Sequence, residues 1–474
     1  MAEEEFKVII GLEVHCQLDT KSKLFCGCSA DFRSDAPNTH VCPVCLGLPG
    51  ALPVLNKKAV EYALKVAKAL NCTIPEEGEF CRKNYFYPDL VKAYQITMGD
   101  NPLAIGGYIE IEDDAGNPKI VNLTRIHVEE DPGRLVHMGN KERGHYTLVD
   151  YNRSGIPLIE MVTEPELSSP KEARRLLNKL RATLEYLSVF DPDKEGSIRV
   201  DANISIKGHE RVEIKNISSY KGVEKALTFE IARQKNLIRR GGVIARETRH
   251  FQEGKGTTTS ARSKETATDY RYFPEPDLPV IRVADWVDRI ELPELPDARR
   301  DRFMAQYGIA VNHARTLTGD LHVAEFYENI ADVDPLLAAS WTADILIGEL
   351  NYRDMNVSSV AGSADMFKEI ITMVRDKAIT DKAGIDVLRV WLDGGAKERP
   401  SEIVERLSLK RESGESFRGL VEEVLKNNPQ AISDHKSGKK GALNFIVGQV
   451  MKQTKGKSDP REIHAMISEI LGEQ

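Results

Sequence analysis

The 474-residue chain has no cysteine after Cys81, no uninterrupted apolar run long enough to span a bilayer, and no excess of positive charge. Each absence excludes something. Seven cysteines confined to the first 81 residues rule out a disulfide framework holding the whole molecule. Without an apolar run of about 20 residues there is no membrane-spanning helix. A formal net charge of −8 excludes a uniformly basic nucleic-acid coat, while leaving room for a local basic patch. The start, Met1-Ala2-Glu3-Glu4-Glu5, lacks the basic and apolar segments of a secretory signal, so a cytoplasmic protein with no membrane association is expected. Internal repeats and low-complexity tracts are also missing. Hydrophobic content of 41% and charged content of 29% are those of an ordinary globular protein. The length suits about three domains at ~150 residues each.

Four of the cysteines form two close pairs, Cys26-Gly27-Cys28 and Cys42-Pro43-Val44-Cys45. This pattern suits a tetrahedral zinc site with four thiolates and no open position, hence a structural one. Four reduced core thiols are the alternative.

Polar residues fall on every second position of two further stretches. Asp201, Asn203 and Ser205 alternate with Ala202, Ile204 and Ile206, and Glu213 and Lys215 alternate with Val212 and Ile214. A turn at residues 208–210 would set Ile204 against Ile214 and Ile206 against Val212 on one face. Asn203 would then oppose Lys215, and Ser205 would oppose Glu213, on the other. A face with carboxylates, an amide, a hydroxyl and an ammonium suits a metal and phosphate site. Glu13 and His15 alternate with Leu12 and Val14 in the same way. Lys215 could hold a phosphate, or simply bridge a carboxylate across the strands.

Residues 1 to about 290 mix strand patterns with helical ones. The spacing predicts helices over 57–70, over 170–187 after a Ser168-Ser169 cap, and over 226–241. Leu292-Pro293-Glu294-Leu295-Pro296 reads as a linker. Beyond it helices are expected over 298–307, 336–349, 363–375 and 382–392, with a break near Gly394-Gly395. A last group follows over 401–407, 417–427, 441–452 and 460–471. The fold class is therefore α+β: an N-terminal mixed sheet-and-helix cradle (1–292) carrying the four-cysteine zinc site, a helical domain (293–400) and a small helical tail (401–474). Gly254-Lys255-Gly256-Thr257 lacks the phosphate-loop spacing and reads as a hairpin. In the tail, Lys436, Lys439, Lys440, Lys452, Lys455 and Lys457 come without an intervening acid between residues 435 and 458. They form either a solvated charge run or a set of phosphate contacts.

Several segments, in order along the chain, resemble the B subunit of the tRNA-dependent amidotransferases, the GatB family. They are Ile10-Gly11-Leu12-Glu13-Val14-His15, Cys42-Pro43-Val44-Cys45-Leu46-Gly47-Leu48-Pro49-Gly50, His127-Val128-Glu129-Glu130-Asp131, and Asp150-Tyr151-Asn152-Arg153-Ser154-Gly155-Ile156-Pro157-Leu158-Ile159-Glu160. Asp201-Ala202-Asn203-Ile204-Ser205, Glu213-Ile214-Lys215-Asn216, Arg262-Ser263-Lys264-Glu265 and Asp269-Tyr270-Arg271-Tyr272-Phe273-Pro274 follow. The resemblance implies a ligase of protein biosynthesis. ATP phosphorylates the side-chain carboxylate of Asp-tRNA(Asn) and/or Glu-tRNA(Gln), and ammonia from a glutaminase partner then displaces phosphate. It implies a heterotrimer with an amidase (glutaminase) protein and a third, small protein, a Mg2+ or Mn2+ requirement, and a tRNA-reading tail. Glu13, His15 and Glu130 would be ligands of that ion, with Glu130 favoured over Glu129 because neighbours on a strand face opposite ways. Glu213 and Lys215 join them as catalytic residues. Asn152, Arg153, Asp201, Asn203, Ser205, Arg262, Ser263 and Lys264 would contact ATP or substrate. The archaeal paralogue that acts on Glu-tRNA has an inserted domain for which this length leaves no room. A non-catalytic zinc-stabilised tRNA-binding module, or a ligase for another amide bond, are the other readings.

Overall fold

The computed structural model describes residues 6–140, 144–194, 196–261, 270–411, 417–436, 441–453 and 460–471. The chain forms two compact units, Met1–Leu295 and Pro296–Gln474.

The first unit is built on a nine-stranded mixed sheet. Its central strand, Val8–Gln17, lies antiparallel between Ile198–Ile206 and Pro157–Thr163. Outward on one side come Val212–Ile217, then Glu247–Gln252 in parallel, then Thr257–Ser260. On the other side come Pro118–Glu130 and the short strands pairing with it. Strict alternation makes the sheet two-sided. Ile10, Leu12, Val14, Ala202, Ile204, Val212 and Ile214 are almost fully buried in the apolar core, while Glu13, His15, Asp201, Asn203, Glu213 and Lys215 share the opposite face.

Three helices supply much of the rest of that core. Lys57–Ala69 is capped by Asn56, whose side chain accepts from Lys58 N and Ala59 N, and buries Val60, Ala63, Leu64 and Ala67. Pro170–Tyr186 begins at Ser169, which accepts from Glu172 N, while the Glu172 carboxylate accepts from Ser168 N at 2.7 Å; this resembles a capping box, with Pro at the first helical position. Tyr220–Arg239 begins six residues before the expected start at 226, because Ser219 caps it. Gly222 in its first turn is a packing requirement, since a Cβ there would meet Ser219 Oγ at 2.8 Å.

The hairpin register corrects the expected one. Ile204 pairs with Val212, Asn203 with Glu213, and Ala202 with Ile214. The connection uses all of residues 207–211, with Gly208 at φ 86° and Lys207 N tied to Lys7 O. A slip of two residues preserves the faces, so the polar side stays polar. Continued one step further, this register sets Lys215 beside Asp201, and the irregularity between Val200 and Ala202 then places Ile217 opposite Val200. Residues 254–256 turn between two antiparallel strands, as a hairpin.

The second unit is helical. Its helices include Pro296–Tyr307, Ala364–Arg375 and Asp381–Asp393, and two that the spacing pattern did not predict, Val311–Thr318 and Leu321–Ile330. The segment expected as one helix over 336–349 is Pro335–Ser340 and Ile347–Tyr352 joined by a π-helical turn, Trp341–Leu346. After residue 417, Val421, Leu425, Ile446, Val450, Ile463 and Ile467 close an apolar cluster of their own. Among the described residues, no helix is long and apolar enough to cross a membrane.

Candidate functional site: an acidic sheet face and a four-cysteine knuckle

The polar face of the sheet carries two groups of potential cation ligands. His15, Glu129 and Glu160 form one; Glu13, Asp201 and Glu213 form the other. Within each, the candidate ligand atoms lie within 4.8 Å of one another. Strand register explains the convergence. His15 pairs with Glu160 on one side, Glu160 pairs with His127, and Glu13 pairs with Asp201 on the other. His15 Nε2 is 3.4 Å from Glu160 Oε2 and 3.9 Å from Glu129 Oε1, and Thr97 Oγ1 donates to Glu129 Oε2 at 2.9 Å. Asn203 Nδ2 donates to Glu13 Oε1 at 2.8 Å, and Thr248 Oγ1 donates to Glu213 Oε2 at 3.0 Å. Lys215 Nζ lies 3.2 Å from Asp201 and 3.8 Å from Glu213.

Crowding of buried acids perturbs their ionisation. Burial pushes the Glu13 carboxyl above its ordinary range, and the neighbouring charges of Glu160, Asp201 and Glu213 push it further, against the Asn203 hydrogen bond. Burial alone would lower the His15 imidazole. The hydrogen bond and charge of Glu160, with Glu129 and Asp201, override it and raise His15 to about 9. Burial and the Glu160 charge raise Glu129. Burial would also lower Lys215, but Asp201 and Glu213 hold it above the usual lysine value. Carboxylates this close, with one imidazole among them, are a ligand set for divalent cations, and the Lys215 ammonium is a counter-charge rather than a ligand.

Glu130 requires a correction. Glu130 accepts from Lys92 Nζ and, at 2.9 Å, from Ile96 N, and is not part of the His15 cluster. Glu129 takes the place beside His15, because it shares strand parity with His127, the partner of Glu160. Asn152 is corrected as well. It is fully buried, accepts from His40 N at 2.7 Å and donates to Ala36 O at 2.9 Å, so both amide ends hold backbone rather than face the acids. Arg153 donates to Pro132 O and Gly133 O and lies 3.8 Å from Asp131. Ser205 pairs with Ile9, beyond Asn203 and outside both clusters. Arg262, Ser263 and Lys264, with Lys439, Lys440, Lys455 and Lys457, lie outside the described residues. Lys436 ends the helix Pro429–Lys436, and Lys452 is exposed in the last turn of Ala442–Gln453.

Sequence reasoning assigned no role to Glu160, Lys83 or Arg199. Glu160 carried a signal, since it alternates with buried Ile159 and Met161. Lys83 had none in its own strand. It becomes part of the site because the Tyr85 and Tyr270 rings, 5.6 and 4.9 Å away, place it by Glu129 and Glu160, whose charges raise it against burial.

Elsewhere in the unit, Cys26, Cys28, Cys42 and Cys45 bring their sulfurs within 4.8 Å of one another. The Cys45–Cys42 Sγ distance is 3.8 Å, and a tetrahedral site with Zn–S bonds of ~2.3 Å has edges of about that length. Four thiols in this arrangement could hold a metal ion. Hydrogen bonding from Cys26, with Lys23 nearby, draws the Cys45 thiol far below its ordinary value. Lys23 is fully buried, and its ammonium reaches His40 O at 2.7 Å, Tyr151 O at 3.3 Å and Cys45 Sγ at 3.8 Å. All three ammonium donors are thus directed at acceptors, and the thiolate is the anionic one.

The profile described as the GatB/GatE catalytic domain matches residues 8–288, and the one described as the GatB domain matches residues 324–471. The B subunit of the aspartyl/glutamyl-tRNA(Asn/Gln) amidotransferase of Methanospirillum hungatei is 63% identical over 472 residues, covering 99% of both chains. Proteins of the same name from Methanoregula boonei and Methanosarcina mazei are 64% identical over 470 residues and 53% over 480, each covering 97% of both chains. With both regions matched in order and near-complete coverage, this chain belongs to the GatB family of tRNA-dependent amidotransferase B subunits.

Proposed function

We propose that the acidic face is where ATP phosphorylates the side-chain carboxylate of Asp-tRNA(Asn) and/or Glu-tRNA(Gln), and where ammonia then displaces phosphate to leave the amide. A carboxylate is a poor acylating agent, so its oxygen must first attack the γ-phosphorus, with ADP leaving. Ammonia next attacks the carbonyl carbon, and inorganic phosphate departs with the electron pair. The observation that carries this reading is the pair of three-residue ligand clusters on one sheet face.

His15, Glu129 and Glu160, and Glu13, Asp201 and Glu213, would each hold Mg2+ or Mn2+. Such ions neutralise the oxygens of the transferring phosphoryl group. Asn203 orients Glu13, Thr97 orients Glu129, and Thr248 orients Glu213. Lys215 places a point charge at the edge of its cluster. No phosphate loop is needed, because positioning comes from strand register.

The four cysteines would hold a structural zinc ion, with Lys23 as its buried counter-charge. Ammonia would come from a glutaminase partner, in a cytoplasmic heterotrimer completed by a third, small protein. The tail lysines Lys436, Lys439, Lys440, Lys452, Lys455 and Lys457 would contact the tRNA backbone.

The test is reconstitution with the amidase partner and assay of ATP-dependent amide formation on both mischarged tRNAs. Glu13→Ala and His15→Ala should each lower turnover by at least ~100-fold while the complex still assembles. Near wild-type turnover in either variant contradicts the assignment. Ammonium salts should replace glutamine in part.

A further inference from the structure

The face holds six acidic or imidazole ligands, and a phosphoryl donor needs cationic groups there with hydrogen-bond donors to spare. Lys215 lies between Asp201 and Glu213. Lys83 sits among tyrosine rings beside Glu129. Arg199 differs from both. It lies directly across from His15 in the strand pairing, and two positions from Asp201 on the same face, so it stands at the seam between the two clusters.

Arg199 is held from beneath. Its Nη2 donates to Asp131 Oδ1 at 2.6 Å, and the Asp131 side chain is completely buried. The other oxygen, Asp131 Oδ2, accepts from Gln17 Nε2 at 2.5 Å and lies 3.8 Å from Arg153 Nε. Gln17 is fixed in turn by Arg33, whose Nη2 donates to Gln17 Oε1 at 2.6 Å. One carboxylate therefore lies between two guanidinium groups, with the charges of Asp201 and Glu129 also acting on Arg199 and that of Asp89 on Arg153. Arg153 directs its donors to the backbone carbonyls of Pro132 and Gly133. Arg199 makes no other side-chain hydrogen bond among the described residues, and a third of its side chain reaches solvent. A guanidinium has five donors in a planar fork, so anchoring one edge leaves the other edge for an anion.

We propose that Arg199 binds the phosphate groups of the nucleotide between the two acid clusters, and that Asp131 is the positioning residue that aims it. The proposal rests on the phosphotransfer reading and adds its anion-binding residue. A phosphate oxygen would accept from the free edge of Arg199 while the clusters' cations bind the remaining oxygens. The buried Asp131 makes this contact geometrically strict, since a lysine at 199 could not bond Asp131 and present a second donor edge in one plane.

The experiment is equilibrium binding of a non-hydrolysable ATP analogue, with Mg2+, to the full chain in complex with its partner proteins. Arg199→Met should weaken binding about ten- to a hundredfold. Arg199→Lys should recover only part of that loss. Asp131→Asn should also weaken binding, and the double variant Asp131→Asn/Arg199→Met should bind no worse than Arg199→Met alone, because the two act through one contact. Thermal melts identify any variant that has lost its fold, and Arg199→Met decides the matter if Asp131→Asn does not fold. Wild-type binding with Arg199→Met equally tight overturns the role of Arg199 and leaves the phosphotransfer reading standing. Additive losses in the double variant overturn the positioning role of Asp131. A wild-type complex that binds no analogue overturns the phosphotransfer reading and this proposal together.

Discussion

The four-cysteine knuckle and the acidic face are both built from converging ligand atoms, yet they differ in completeness. In the knuckle, four sulfurs lie within 4.8 Å of one another, and the ammonium of a fully buried lysine contacts Cys45. On the face, each cluster offers three ligand atoms, and burial together with the neighbouring acid Glu160 pushes Glu13 and Glu129 above their ordinary ionisation range. A closed set with its own counter-ion suits a structural metal. An open, electrostatically strained set suits an ion that must also bind substrate oxygens.

The largest effect that could break this contrast is in the knuckle. Cys45→Ala removes a ligand and the only anionic partner of Lys23 among its three contacts. Loss of stability on the order of 3–5 kcal/mol is expected from the orphaned cation, read as a lowered melting temperature together with metal analysis. A variant that melts like the parent would place the knuckle outside the folding core.

The next effect sharpens the acidic side. In protein free of divalent ions, His15 has its ionisation raised from 6.5 to about 9. A raised folded value means that the protonated form stabilises the fold fully below pH 6.5, and that this contribution is lost as pH rises through about 9. Stability should fall across that window, and His15→Gln should flatten the slope. Binding of a divalent ion at His15 should release protons at neutral pH, measurable by calorimetry in two buffers of different ionisation enthalpy. Binding enthalpies that do not vary with the buffer would contradict a cation at His15.

Much of this contrast was legible in the sequence. The Cys pairs are local in sequence, so spacing alone identified them. The alternation of Asp201, Asn203, Glu213 and Lys215 likewise survived a two-residue register error, because a shift of two leaves every side chain on its face. What stayed hidden depends on contacts between distant strands. Glu129 and Glu130 are neighbours, and only the pairing of His127 with Glu160 shows which of them meets His15. Asp131 and Arg199 are 68 positions apart, and nothing in either segment marks the pair. The helix Tyr220–Arg239 starts ahead of the apolar spacing that marks it from 226, at a cap supplied by Ser219. In the second unit, the 336–349 pattern was right in kind but concealed the wider turn at Trp341–Leu346.

A smaller effect concerns the tail. Lys452, exposed near the end of its helix, should lower the salt dependence of tRNA binding by roughly one unit of slope when changed to alanine, if it contacts one phosphate. Removing residues after 400 should weaken tRNA binding far more, with ATP hydrolysis retained. Unchanged tRNA affinity after that truncation would remove the tail from recognition.

The most direct measurement is a crystal structure of the chain in its complex soaked with Mn2+ and an ATP analogue, read by anomalous scattering. The account predicts manganese peaks bonded to His15, Glu129 and Glu160 and to Glu13, Asp201 and Glu213, on the same face as the nucleotide phosphates. Manganese and nucleotide bound elsewhere, with these six side chains contacting only protein and water, would contradict it.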